Sequence, residues 1–499
     1  MIKSLKRIIG EPKVLLALFI YTGFLVRFLN IARSSIWHDE GYTMMISVLP
    51  PSEIIARTAR DVHPPLYYLV LHFWMNLFGT GELAARSLSM IFGLGLIVLT
   101  YFTVRRIFEN RTATLASFFV ALSPFLVRYS QEARMYEMVA FLTLLGTYFL
   151  IRAFQEGKNQ WWMLYAVTMA LSMYTHYYAA FLIVVHVIYA LLKTDFRAYR
   201  HAAYPKLGLL DKKWWAANIF TILLFLPWVP VAYAQFSRVQ SGFWIPPVNL
   251  RTIPATIFQF LSFKSGDTLP LFIHISVIAL IVYLTWRLIR SVPQKRAEIL
   301  LIFLYGFLPL LIIWTISLKR AVYQDRYFPF AAVGFYILLA ILLTQDYLKN
   351  KAFAKRWMQI WLAVVTLMML GGVNHVYNTS NHQMRQVAEQ VNNNFKPGDG
   401  LVAGELYVYF DFSYYNKTGA GLKLLSEGPL TGYGETSLLY DRQSDIRVQD
   451  LADVKSTTGN VWVVGKTGEK DYYTNIPQGW QQVLAVESGY VKVVKFATR

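Results

Sequence analysis

Apolar runs of about 17–25 residues recur along this chain from Val14 to Val373, and each is long enough to cross a hydrocarbon core of roughly 30 Å. Short polar stretches separate them. The pattern predicts eleven spans, at about 14–32, 84–104, 112–127, 138–153, 161–175, 177–192, 214–234, 269–286, 298–317, 328–345 and 357–373. The run Leu66 to Phe78 is apolar too, but it is short, carries His72 and Asn76, and stops at Gly79-Thr80-Gly81. It therefore suits a helix lying in the interface better than one that crosses.

Placing that helix flat decides the topology downstream. With the N-terminus inside, Arg105, Arg106 and Arg111, the basic stretch from Lys193 to Lys213, and the clusters Arg287 to Arg296 and Lys349 to Arg356 all fall on the inner face. This is what the positive-inside rule asks. The basic start (Lys3, Lys6, Arg7) is like that of a signal peptide, but the run after it is long and lacks a small-residue cleavage pattern, so it is expected to stay as the first span.

After Val373 the pattern changes. Met384, Val387, Ala388, Val391 and Phe395 keep helical spacing, Lys396-Pro-Gly-Asp-Gly400 closes that helix, and Leu401 to Phe410 and Val461 to Val464 read as strands. Tyr490 to Phe496 alternates like an edge strand. The fold expected is a polytopic α-helical membrane protein with interfacial helices in its first outer loop and a small C-terminal α/β domain on the outer face. Residues 1–373 form the membrane module and 374–499 the extracytoplasmic domain.

Composition agrees with the pattern: of 499 residues 55% are hydrophobic and only 15% charged, too apolar for an ordinary soluble fold. The net charge of +19 is spread over short inner loops rather than one soluble face, which excludes a nucleic-acid partner. Cysteine is absent, which removes disulfides, thiolate metal sites and a cysteine nucleophile. Neither a Gly-rich phosphate loop nor a zincin-type His/Glu pair occurs.

Candidate chemistry lies in the outer loops. Asp39 and Glu40, flanked by Trp37, His38, Gly41 and Tyr42, follow the first span. Adjacent side chains diverge in a helix or a strand, so the two acids cannot face each other as an acid-base pair. One would act while the other orients the loop, which fits a reaction that needs a single base. His63, before Pro64-Pro65, stands at the N-terminal edge of the 66–78 helix, either as a donor to an anion or as a structural cap. Ser130-Gln-Glu-Ala-Arg-Met-Tyr136 is a polar island between two spans, with Glu132 and Arg134 as its informative members and Tyr136 closing it. His176 marks another outer turn. Lys319, Arg320, Asp325 and Arg326 put excess positive charge on the outer side, which suggests an anionic ligand.

Trp37-His-Asp-Glu40, Asp61-Val-His-Pro-Pro-Leu-Tyr-Tyr68, Ser130-Gln-Glu-Ala-Arg-Met-Tyr136 and Arg326-Tyr-Phe-Pro329 together resemble the integral-membrane glycosyltransferases of the C superfamily. Within it the likeness is to the bacterial protein-mannosyltransferase-like and aminoarabinose-transferase-like group, over roughly the first 350 residues. The resemblance implies a bacterial plasma-membrane enzyme that takes a sugar from a polyprenyl phosphate and gives it to a glycan, lipid or protein acceptor. It implies Asp39 as catalytic base, His63, Arg134 and Arg326 near the lipid phosphate, and Glu132 with Arg134 as the second outer-loop polar group. No cofactor is required on this reading; Glu132 and His176 are the ligands available should a divalent metal take part. The rival class is a flippase for lipid-linked sugars or another transporter, but transporters concentrate ionisable residues at the bilayer midplane, often within inverted repeats. Here the polar islands cluster in outer loops.

Overall fold

The computed structural model describes residues 11–194, 208–238, 245–264, 269–344, 351–379, 383–468 and 471–498. They form two compact units: Met1–Leu29 with Ser87–Asn378, and Asn30–Arg86 with Thr379–Arg499.

In chain order the helices are α1 (Pro12–Phe28), α2 (His38–Ser47), α3 (Pro51–Thr58), α4 (Leu66–Phe78), α5 (Glu82–Ile107), α6 (Asn110–Leu122), α7 (Pro124–Ser130), α8 (Tyr136–Glu156), α9 (Asn159–Thr175), α10 (Ala180–Leu192), α11 (Lys212–Phe225) and α12 (Val229–Arg238). There follow α13 (Thr252–Ser262), α14 (Leu271–Ser291), α15 (Arg296–Ser317), α16 (Pro329–Thr344), α17 (Lys351–Thr379), α18 (Met384–Asn394) and α19 (Leu406–Tyr415). Local sequence sets many of the ends. Pro12, Pro51 and Pro124 open α1, α3 and α7, where a missing N–H costs nothing. Gly79 at φ 89° stops α4 after Phe78, the end expected for the flat helix.

The larger unit holds helices and no strand among the described residues. Among the described residues six helical stretches are long and apolar enough to cross a membrane, and the pair α6 and α7, bent by 56°, makes a seventh if it is one span. The bend falls at Ser123-Pro124, where the proline disfavours helical backbone in the residue before it. Eleven spans were expected from hydropathy. Four of those positions are held by shorter helices, α1 and α9 with 17 residues each and the apolar stretches Tyr177–Leu192 and Pro329–Thr344. Sixteen residues rise about 24 Å, less than a full core, so length by itself does not make them spans. Inside this unit Arg27 of α1 is fully buried and donates to Ser130 Oγ (3.0 Å) and to the carbonyls of Ala121 (2.9 Å) and Val120 (3.1 Å). It ties the first helix to the start of the polar island.

The smaller unit holds a six-stranded sheet with the order β3-β2-β1-β4-β6-β5, made of β1 (Gly400–Ala403), β2 (Lys423–Leu425), β3 (Arg447–Val448), β4 (Asn460–Lys466), β5 (Gln481–Ser488) and β6 (Val491–Ala497). The first four pair in parallel, whereas β6 runs antiparallel to both β4 and β5. Val402, Val461, Val463, Val494 and Phe496 build its core with Tyr472 and Leu451. Two expectations are corrected. The strand expected over 401–410 ends at Ala403, and Leu406–Tyr415 is helix, because Gly404-Glu405 breaks the extended run and the following aromatics pack on α2 instead. The last strand, β6, is interior rather than at the edge, because β5 covers its outer side.

Candidate active site

The smaller unit holds Asp39, Glu40 and His63. Asp39 and Glu40 occupy the first turn of α2, where the unsatisfied N–H groups favour negative charge. Both are buried, and their fates differ. Glu40 takes a two-point ion pair from Arg86, Nε to Oε1 at 2.8 Å and Nη2 to Oε2 at 2.6 Å. Arg86 also donates to the carbonyls of Ile31, Ser34 and Ser35, at 2.8, 2.8 and 3.1 Å, so one guanidinium fixes both the helix and the chain that leads into it. Asp39 precedes Glu40 in the same turn, and its backbone carbonyl accepts from Thr43 Oγ1 at 2.8 Å.

The C-terminal segment supplies the other wall of α2. The backbone of α19 passes so close to Gly41 that a Cβ there would lie 2.6 Å from Asp411 N and from the Phe410 carbonyl carbon. His38 stacks on Tyr407 (4.9 Å, 9° between planes), places Nδ1 3.0 Å from the Tyr407 carbonyl and Nε2 2.7 Å from Glu435 Oε2. Burial works against a charge on His38, but the Glu435 carboxylate more than offsets it, so its pKa lies above the ordinary imidazole value. Burial pushes the Asp411 carboxyl up to about 8 against the pull of His38, and it accepts from the Phe412 N–H and from Tyr490. The chain before α2 is fastened as well: Arg385 binds Glu82 and the Ala32 carbonyl, and Tyr415 binds Glu82 and the Ile36 N–H.

His63 sits two residues before the cap of α4, with Nδ1 3.6 Å from the buried Asp61 carboxylate. His38, Asp39 and Glu435 each bring one ligand atom within 4.8 Å of the others, a group that could hold a metal ion. A cation there would have to displace the His38 to Glu435 contact and sit against the positive end of α2.

The larger unit holds Glu132, Arg134, Tyr136, His176 and Arg326. Glu132 pairs with Arg128 at 2.5 Å, and Arg134 lies over the Tyr136 ring, 5.8 Å from its centroid. His176 accepts the Tyr178 N–H at Nδ1. Tyr327 draws these separate stretches together. Its ring is 6.2 Å from Tyr136, 5.0 Å from His176 and 5.5 Å from Tyr178, and Arg326 precedes it in the chain. The turn that presents Arg326 is held from α13, where Thr256 and Gln259 donate to Asp325 at 2.5 and 2.7 Å. Three motifs separated by up to about 190 residues of sequence thus share one aromatic centre in this unit.

Arg86, Asp411 and Glu435 are not marked by the sequence motifs, and Tyr327 enters there only as the second residue of Arg326-Tyr-Phe-Pro329. An arginine at the start of an apolar helix was a usable sign for Arg86, since such a charge needs a partner. Nothing local marks Glu435, which reaches His38 only through the fold.

A family model described as dolichyl-phosphate-mannose-protein mannosyltransferase matches residues 62–231. Over 98 residues the chain is 26% identical to YkcB of Bacillus subtilis, a protein named as a candidate mannosyltransferase. That stretch is 20% of this chain and only 14% of the relative's own length. Among solved structures the chain is similar to ArnT from Cupriavidus metallidurans bound to undecaprenyl phosphate, with 14% identity, a TM-score of 0.62, and coverage of 96% of this chain and 97% of that one. It is also similar to the archaeal oligosaccharyltransferase AglB from Archaeoglobus fulgidus in complex with an inhibitory peptide and a dolichol-phosphate, at 12% identity and a TM-score of 0.53, over 91% of this chain and 69% of that one. The resemblance carried by the four motifs is met by these matches, and the chain shares the fold of these membrane transferases.

Proposed function

We propose that the protein is a glycosyltransferase that moves a sugar from a polyprenyl-phosphate donor to an acceptor hydroxyl at the outer face of the membrane, with inversion at the anomeric carbon. The observation that carries this is the division of labour on α2. Arg86 commits Glu40 to holding the loop, and the neighbouring Asp39, the first acid of the motif, is assigned to the chemistry. In the reaction the acceptor oxygen bonds to the anomeric carbon as the bond from that carbon to the phosphate oxygen breaks. The polyprenyl phosphate leaves with the electron pair, and the acceptor proton passes to the Asp39 carboxylate.

A phosphate leaves readily as an anion, so cations suffice and no second carboxylic acid is needed. Arg326, 5.8 Å from the Tyr327 ring centroid, and Arg134, 5.8 Å from that of Tyr136, are assigned to the phosphate, and His63 is given the same role by its motif. Glu132 holds Arg128, and His176 and Tyr136 pack on the Tyr327 ring beside Arg326. The names of the similar structures, one with undecaprenyl phosphate and one with a dolichol-phosphate, support a lipid phosphate as the donor's carrier. The C-terminal domain is assigned to the outer face together with the first loop.

The test is turnover of a polyprenyl-phosphate sugar by purified Asp39→Asn protein. A properly positioned base contributes about 10²–10⁴ in rate, so turnover should fall by that much while the melting temperature holds. Unchanged turnover would remove Asp39 as base. Transport of the lipid-linked sugar without sugar release would move the protein to the transporter class.

A further inference from the structure

Helices α13, α14, α16 and α17 of the larger unit line a groove of about 950 Å³. Its walls are almost wholly apolar, with Ile257, Ile278, Leu338, Trp361 and Val365 representative. Along α17 it follows the helix from Lys355 to Met368, about 20 Å at 1.5 Å per residue, or two thirds of a hydrocarbon core of roughly 30 Å.

One rim of the groove is polar and positive. Arg111 Nη2 lies 2.7 Å from Met358 Sδ, and Lys355 is one helical turn before Met358 on the same face of α17. Thr344, bonded at 2.7 Å to Thr112 beside Arg111, completes the rim, and Trp357 stands next to it. Among the described residues no Asp or Glu lines the groove. Several basic residues near other helix ends have neighbours that answer them: Arg106 and Arg152 pair with Glu156, Lys193 pairs with Glu298, and Arg290 lies 4.0 Å from the Trp286 ring centroid. Arg111 and Lys355 have no carboxylate partner among the described residues. Two such cations at the mouth of an apolar channel fit an anion that carries a hydrocarbon chain.

We propose that this groove is a binding site for an anionic glycerophospholipid, with its phosphate between Arg111 and Lys355 and an acyl chain lying along α14 and α17. Basic pockets between membrane helices hold anionic head groups because each cation near the surface favours them and the chain gains apolar contact at the same time. None of the residues assigned to sugar transfer lines this groove, so the site stands or falls separately from the enzymatic reading. Among the described residues the one other ionisable group of the lining is His274, which is 4% exposed and has neither ring nitrogen partnered there. A lipid that entered with its head group toward His274 would engage that ring instead, which separates a second kind of occupant from the one proposed.

The experiment uses the delipidated full-length protein in neutral detergent and counts bound lipid by native mass spectrometry. The added lipids are dioleoylphosphatidylglycerol, dioleoylphosphatidylcholine or undecaprenyl phosphate. Phosphatidylglycerol should bind at about tenfold lower concentration than phosphatidylcholine, as two surface cations imply. The exposed double substitution Arg111→Gln with Lys355→Gln should abolish that preference, and His274→Ala should leave it unchanged. Equal binding of the two phospholipids by the native protein, or a preference that survives the double substitution, overturns the proposal. So does displacement of phosphatidylglycerol by undecaprenyl phosphate with loss of binding in His274→Ala, which would give the groove to a polyprenyl lipid.

Discussion

Arg86 and Glu40 face each other as a buried two-point ion pair, with only 3% of one side chain and none of the other exposed. The pair is 46 residues apart in sequence and closes the chain that carries Asp39 against the start of α5. Removing one partner of such a pair leaves a buried charge uncompensated, at a cost of about 3–5 kcal/mol. Arg86→Ala should therefore lower the melting temperature strongly, whereas the double change Arg86→Met with Glu40→Leu should lower it less. Equal losses would mean that the three carbonyl bonds of Arg86, rather than the ion pair, hold the loop.

Gly41 is the point where α2 and α19 touch through backbone. A methyl group there meets atoms that cannot rotate away, so Gly41→Ala must separate the helices and should cost about 1–3 kcal/mol. Turnover should fall with it, because Asp39 is two residues away on the same helix. A variant with native stability and native turnover would show that α2 does not depend on that contact.

Asp411 gives a pH dependence. Its carboxyl is pushed up to about 8 in the fold, from an ordinary value near about 4. Between those two values the folded protein holds a proton that the unfolded chain has released, so this group's contribution to stability is full below about pH 4 and is lost as pH rises toward 8. Asp411→Asn removes that loss. Thermal melts of the variant and the native protein should diverge in the variant's favour from pH 5 to pH 8. Melting curves that shift in parallel across that range would count against the protonated Asp411.

Arg326 and the donor phosphate can be separated from folding. Asp325, held by Thr256 and Gln259, fixes the turn, so Arg326→Gln should leave the melting temperature unchanged while lowering kcat by about 10²–10³, the usual cost of one preorganised donor at a developing charge. Arg326→Lys keeps the charge but not the planar fork and should recover only part of the rate. Full activity in Arg326→Gln would release this residue from the site.

The sequence by itself determined what depends on neighbours along the chain. Apolar period and length marked the helices, including the 66–78 helix to its last residue before Gly79, while a short apolar run marked Val461 to Val464 and alternation marked the final strand. The adjacency of Asp39 and Glu40 already said that the two carboxylates must part. Which one would be clamped was not written locally, because Arg86 meets Glu40 only after the loop closes, and Glu435 reaches His38 across 397 positions. The helix at 406–415 was hidden for a similar reason: a run of aromatics suits a strand or a buried helix equally, and contact with α2 decided between them. The gathering of Tyr136, His176 and Arg326 around Tyr327 is likewise a property of packed helices rather than of any one motif. Periodicity is read within a dozen residues, whereas ion pairs and shared rings arise where the folded chain crosses itself.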